Sequence, residues 1–209
     1  MYEAVLWDFG GVILTSPFDA FNRYEAEHDL PTGFIRSVNA ADTHTNAWAQ
    51  LERNDIDAAT FDRLFAEESA RLGHRIAGAD VLALLSGEVR PEMVAALDTI
   101  RAAGFRQACL TNNVGGEHSS DARAHQIAAI MARFDAVIES SRVGVRKPEP
   151  RFYEIACETL GVEPAACVFL DDLGINLKPA AAMGMLTIKV LDAPQALASL
   201  ELALGLQLR

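Results

Sequence analysis

Five short runs rich in Val, Ile, Leu and Phe punctuate the chain: AVLW (4–7), QACLTN (107–112), AVIES (136–140), CVFLDD (167–172) and LTIKVL (186–191). Continuous apolar runs of this length, without polar alternation, are the pattern of strands buried on both faces. Between the last four lie stretches of helical periodicity, 123–134, 150–160 and 177–183, each long enough to cross back over a sheet. Strand alternating with helix predicts an α/β, Rossmann-like parallel sheet flanked by helices on both faces, with right-handed connections.

The spacing of the runs is uneven. Residues 8–106 separate the first two, whereas the later ones follow one another closely. Within that gap FDAFNRYEAEH, NAWAQLERN and AATFDRLFAEESARL each repeat apolar residues three or four apart, the spacing of amphipathic helices. The pattern predicts a helical cap inserted after strand one, over 16–88, with 1–15 and 89–209 forming the α/β core. A further helix is expected over 91–103, because Pro91 suits a first helical turn and Gly104 an end.

Lys and Arg number 18 against 29 Asp and Glu, a formal net charge of −11. Binding a phosphate backbone without sequence preference needs clustered basic residues that release counterions. No such cluster is present, so nucleic acid is not the expected partner. Cys109, Cys157 and Cys167 are odd in number and spread through apolar surroundings, so neither a disulfide framework nor a CxxC metal site is expected. No apolar run approaches the ~18 residues of a membrane helix, and Met1-Tyr2-Glu3 lacks the basic start of a secretion signal. A reduced, cytoplasmic protein without a membrane partner is the expectation.

In open parallel sheets, ligands bind beyond the carboxyl ends of the strands. Strand one runs into Asp8-Phe9-Gly10-Gly11, strand two ends in Thr111-Asn112-Asn113, the third leads to Arg146-Lys147-Pro148, and the fourth ends in Asp171-Asp172 with Asn176 just beyond. Three carboxylates gathered at one place repel one another, and their pKa values rise unless countercharge is present. Lys147 supplies one positive charge. Mg²⁺ would supply two more and favours oxygen ligands of this kind. Thr111, Lys147 and the metal could then neutralise a transferring phosphoryl group while Asp8 attacks it.

Taken in order, AVLWDFGGVIL, ACLTNN, VRKPEP and VFLDDLGIN resemble the four motifs of the haloacid dehalogenase (HAD) superfamily, and the resemblance runs over essentially the whole chain. LTNN, AVIESSRVGVRKPEPRFYEIA and VFLDDLGINLKPAAAMGM resemble the phosphatase domain at the N-terminus of mammalian soluble epoxide hydrolase. The resemblance implies that Asp8 forms an aspartyl-phosphate, that Thr111 and Asn112 bind the phosphoryl group, and that Lys147 stabilises its charge. It also implies that Asp8, Asp172 and the carbonyl of Gly10 hold Mg²⁺, with Asp171 ordering water and Lys147 and Asn176 holding the loop. The substrate would be a small phosphorylated metabolite, selected by the helical insertion.

Gly10 is the departure. The family commonly has a second Asp here, which protonates the leaving group and later activates water. Its loss leaves open a degenerate member that binds a phosphorylated ligand or partner without turnover; a metal-independent 2-haloacid dehalogenase using the same Asp8 nucleophile is the other alternative, disfavoured by the Asp171-Asp172 pair. Asp19 is the nearest downstream carboxylate that could stand in. Glu117, His118, Asp121 and His125 are read as a solvated face, since they form no HExxH. No GxGxxG follows strand one, and Trp7, Trp48, Met183 and Met185 are expected to pack rather than bind.

Overall fold

A computed structural model describes residues 2–113 and 121–208. In it the apolar runs pair as β1 (Ala4–Trp7), β2 (Arg106–Thr111), β3 (Ala136–Glu139), β4 (Cys167–Asp171) and β5 (Leu186–Lys189). Among the described residues they make one parallel sheet in the order β3-β2-β1-β4-β5. Four strands stop short of their expected last residue, β5 at Lys189 rather than Leu191. Asn112, Ser140 and Asp172 each follow a strand end rather than extend it, and their side chains bond to residues of other segments.

Side chains alternate across the two faces of a strand, and the sequence alternates accordingly. Val5, Trp7, Cys109, Val168 and Leu170 face one way, onto Met93, Leu97 and Ile100 of α6 (Pro91–Ala102) and Leu197 and Leu200 of α11 (Ala193–Leu204). Ala4, Leu6, Ala108, Leu110 and Phe169 face the other way, onto α9 (Pro150–Leu160) and α10 (Gly174–Ala182). Helix α7 (Asp121–Met131) follows β2, and the short α8 (Ser140–Val143) follows β3. Trp7 is fully buried and its indole N–H donates to the Gln107 side chain at 3.2 Å, a core role as expected.

The register places the chemistry. Trp7 lies opposite Cys109 on one side and Leu170 on the other. The next residues, Asp8 and Asp171, therefore leave neighbouring strands at the same level, and Asp8 N–H still donates to the Leu170 carbonyl at 2.9 Å. Strands in a sheet lie about 4.8 Å apart, so the carboxylates start close together.

Between Leu14 and Val89, which form an antiparallel bridge, the chain runs through α1 (Phe18–Glu27), α2 (Phe34–Ala41), α3 (Ala47–Glu52), α4 (Ala58–Arg71) and α5 (Gly78–Ala83). These helices have their own apolar cluster, with Phe21, Ile35, Phe61 and Phe65 at its centre and Trp48 edge-on to Phe61. Buried Glu25 accepts from the Gly33 and Ile35 N–H groups at 2.6 and 2.9 Å, where the positive end of α2 favours a carboxylate. At the neck, Thr15 N–H donates to the Glu88 carbonyl at 2.8 Å and Arg90 N–H to the Ile13 carbonyl at 2.9 Å. Gly87 fits here because a Cβ would lie 2.4 Å from the Thr15 carbonyl oxygen.

The three cysteines are buried and free, but two are closer than their spread in sequence suggests: the Sγ atoms of Cys157 and Cys167 lie 4.0 Å apart. Met185 is buried against α9 and α10, and His125 is exposed on α7. Glu117, His118 and the side chain of Asp121 lie outside the described residues. Among the described residues no helix is long and apolar enough to cross a membrane.

Candidate active site

β1 delivers Asp8 into a wide turn, Phe9–Ile13, closed by a 2.9 Å bond from Leu14 N–H to the Phe9 carbonyl. Gly11 turns the chain at φ +79°, and a Cβ there would meet the Asp172 carboxylate at 2.3 Å. Only glycine permits both the conformation and the approach. The Lys147 ammonium lies between two carboxylates, 2.7 Å from Asp8 Oδ1 and 2.8 Å from Asp171 Oδ2. Asp8 Oδ1 also accepts from Phe9 N–H at 2.6 Å.

The two consecutive aspartates have different surroundings. Asp171 is fully buried and accepts from Lys147, from Leu173 N–H at 2.8 Å and from the Asn176 amide at 3.1 Å. Asn176 is held in turn by Tyr153, whose hydroxyl donates to its carbonyl at 2.6 Å. Asp172 is less enclosed and accepts from the Ser16 hydroxyl at 3.3 Å. Oxygen atoms of Asp8, Asp171 and Asp172 lie within 4.8 Å of one another. This all-oxygen group faces a single ammonium, so the ionised cluster lacks two positive charges.

That shortage appears in the protonation equilibria. Burial pushes the Asp8 carboxyl well above the ordinary range, and Asp171 and Asp172 add to the shift while Lys147 opposes it. Burial and the neighbouring Asp171 raise Asp172 to about 6. Burial works against the Lys147 charge, but Asp171 and Asp8 outweigh it and hold the ammonium above the usual lysine range. The folded chain binds the Asp172 proton more tightly than the unfolded chain between pH 3.8 and about 6, so stability falls as pH rises through that window, by about 1–3 kcal/mol. Thermal melts in EDTA across this range should show the loss, and Asp172→Asn should flatten it. An unchanged pH slope in Asp172→Asn would contradict it.

Thr111 ends β2, the strand paired with β1, and is 8% exposed. Asn112 is bonded to the lysine loop: its amide oxygen accepts from Lys147 N–H at 2.9 Å and its amide nitrogen donates to the Lys147 carbonyl at 3.0 Å. Asn113 is also bonded within the protein, to Glu139 and Ser141. Asp19 is exposed in the first turn of α1, where a carboxylate complements the helix dipole. The residue of this stretch that reaches the carboxylates is Ser16. Gly10 has ordinary extended angles (φ −70°, ψ 132°), and a Cβ added there would meet nothing within 4 Å.

The sequence profile of haloacid dehalogenase-like hydrolases matches residues 2–184. The chain belongs to that family. It is 33% identical over 218 residues to bifunctional epoxide hydrolase 2 of Sus scrofa, covering 99% of this chain and 39% of that protein. It is 35% identical over 217 residues to acyl-CoA dehydrogenase family member 10 of Mus musculus, covering 99% of this chain and 20% of that protein. The HAD chain therefore spans less than half the length of these relatives. A HAD family enzyme of Bacteroides thetaiotaomicron, solved with magnesium and inorganic phosphate, matches it with a TM-score of 0.59 at 19% identity, over 90% of this chain and 94% of that one. At that identity the likeness is one of fold.

Two residues of this HAD chain, Glu52 and Arg146, have no role legible in the sequence. Glu52, at the end of α3, is 6% exposed and accepts from the Trp48 indole at 2.9 Å, the Asn112 amide at 3.1 Å and Arg146 Nε. Burial raises its pKa and Arg146 opposes the shift. Arg146 also donates to the Thr43 carbonyl at 2.9 Å. Glu52 follows apolar residues on an amphipathic helix and reads there as a solvated residue; only the fold brings Arg146 to it.

Proposed function

We propose that this HAD hydrolase is a Mg²⁺-dependent phosphohydrolase that acts on a small phosphorylated metabolite through a phosphoryl intermediate on Asp8. The observation that carries the reading is the cluster of three carboxylates around one ammonium, which lacks positive charge and offers only hard oxygen donors. Such a group fits Mg²⁺. Asp8, Asp172 and the Gly10 carbonyl would hold the ion, with Asp171 behind them, and it would supply positive charge at the phosphoryl oxygens.

The chain's own residues supply the remaining steps of the proposal. Asp8 Oδ1 carries both bonds described above, to Phe9 N–H and to Lys147, which leaves Oδ2 to attack phosphorus. An O–P bond forms there as the bond to the leaving group breaks, and water then cleaves the acyl phosphate to release inorganic phosphate. Lys147 stabilises the charge that gathers on the phosphoryl oxygens, and Thr111 donates its hydroxyl to one of them. Asp171, saturated by protein donors, aims Lys147. Asn112 holds the Lys147 backbone. Residues 16–88 serve as a cap over a core of 1–15 and 89–209, and the buried thiols accord with a reducing, cytoplasmic setting.

A panel of phosphorylated metabolites assayed with and without Mg²⁺ tests the reading. Phosphate release should require Mg²⁺ and disappear with EDTA. Halide release from a 2-haloacid that EDTA leaves untouched, with no phosphate released from any member of the panel, would overturn it in favour of metal-free dehalogenation.

A further inference from the structure

We propose that Glu52, delivered by the helical insertion, is a positioning residue for Lys147, acting through Asn112. Buried charge is costly unless it is paired and bonded, and Glu52 places a carboxylate where four separate segments meet. Its side chain engages Trp48 within α3, Asn112 beyond β2 and Arg146 beside Lys147, and its backbone carbonyl accepts from Ser140 Oγ at 2.5 Å. Asn112 is the link. The amide nitrogen that donates to Glu52 Oε2 at 3.1 Å also donates to the Lys147 carbonyl at 3.0 Å, and the amide oxygen accepts from Lys147 N–H. Glu52 and the Lys147 peptide groups together fix which way the Asn112 amide faces, Glu52 because a carboxylate accepts and cannot donate. With the amide fixed, both peptide groups flanking the Lys147 Cα are held, and the ammonium reaches Asp8 and Asp171 from a set origin. Arg146 secures Glu52 from the same loop, so α3 and the lysine loop are joined through a pair of buried charges.

The chain has three lysines, and Lys178 and Lys189 are exposed. In protein labelled with ¹⁵N at lysine Nζ, the buried Lys147 ammonium should give a slowly exchanging signal that is absent from Lys147→Arg. Glu52→Gln, which puts a donor where a carboxylate stood, should shift or broaden that signal while the remainder of the fold persists. Asn112→Ala cuts the link but leaves the Glu52–Arg146 pair in place, so it should produce the same change, and adding Glu52→Gln to it should change the signal no further. The kinetic arm rests on the proposed phosphatase activity: kcat should fall roughly 10- to 100-fold with little change in KM, as expected when a charged group is misplaced. Absence of activity in the unaltered enzyme would count against that reading and leave the spectroscopic arm intact. A Lys147 signal unmoved in folded Glu52→Gln, or in Asn112→Ala should Glu52→Gln fail to fold, would overturn the proposal.

Discussion

Asp8→Asn is expected to abolish turnover and, in metal-free buffer, to make the protein harder to unfold. The loss follows from the proposed chemistry: an amide at this position cannot form the O–P bond, and removing a covalent nucleophile costs roughly 10⁴-fold or more. The gain in stability follows from electrostatics. Burial and two neighbouring carboxylates disfavour the Asp8 charge by more than Lys147 favours it, and the neutral amide removes that penalty while Asp171 still pairs Lys147 at 2.8 Å. Groups needed for chemistry often cost stability in this way. Mg²⁺ should reverse the ranking, raising the Tm of the unaltered protein and doing little for the variant, because a ligand stabilises only the state that binds it. Melting curves and phosphate release measured on the same samples would decide. Undiminished Mg²⁺-dependent turnover in folded Asp8→Asn would sink the nucleophile assignment, and an unaltered melting point would sink the electrostatic account.

Much of this arrangement was legible in the sequence, for a local reason. A strand buried on both faces is a continuous apolar run, so the first polar residue after it marks the sheet's carboxyl edge; Asp8, Thr111 and Asp171 could be placed there without coordinates. Their level was not legible. It depends on the register that sets Trp7 opposite Leu170, and equal lengths of apolar sequence do not specify register. The bond from the Asn112 amide to the Lys147 carbonyl was not legible, because it joins a peptide group 35 positions away, a partner with no side-chain signature. Glu52 was missed for the related reason that a carboxylate on an amphipathic helix looks solvated until the helix is docked. Ser16 is a third case: its hydroxyl matters because the turn at Gly11 brings Asp172 close to the start of the insertion.

Gly10→Asp should raise the rate on alkyl phosphates by about 10²–10⁴-fold, the usual contribution of general acid–base catalysis. The backbone at Gly10 has angles that any residue adopts, and a Cβ there has open space around it, so the substitution should not disturb the turn. The site would also tune the new group. A fourth carboxylate, two residues from Asp8, enters a site where burial first and Asp171 second raise Asp172 to about 6, and burial there should likewise hold its proton toward neutral pH, where a general acid is most effective. The benefit should depend on the leaving group. An alkoxide needs protonation as it departs, whereas an acyl phosphate or a nitrophenyl phosphate releases an anion stable enough to leave unaided. A plot of log kcat against leaving-group pKa should therefore be steep for the unaltered enzyme and shallower for Gly10→Asp, the two lines meeting at the best leaving groups. Gly10→Ala fills the same space without a proton and should keep the steep line. Equal rates for the Asp and Ala variants on alkyl phosphates would show that this position carries no acid, and that the glycine is not what selects among substrates.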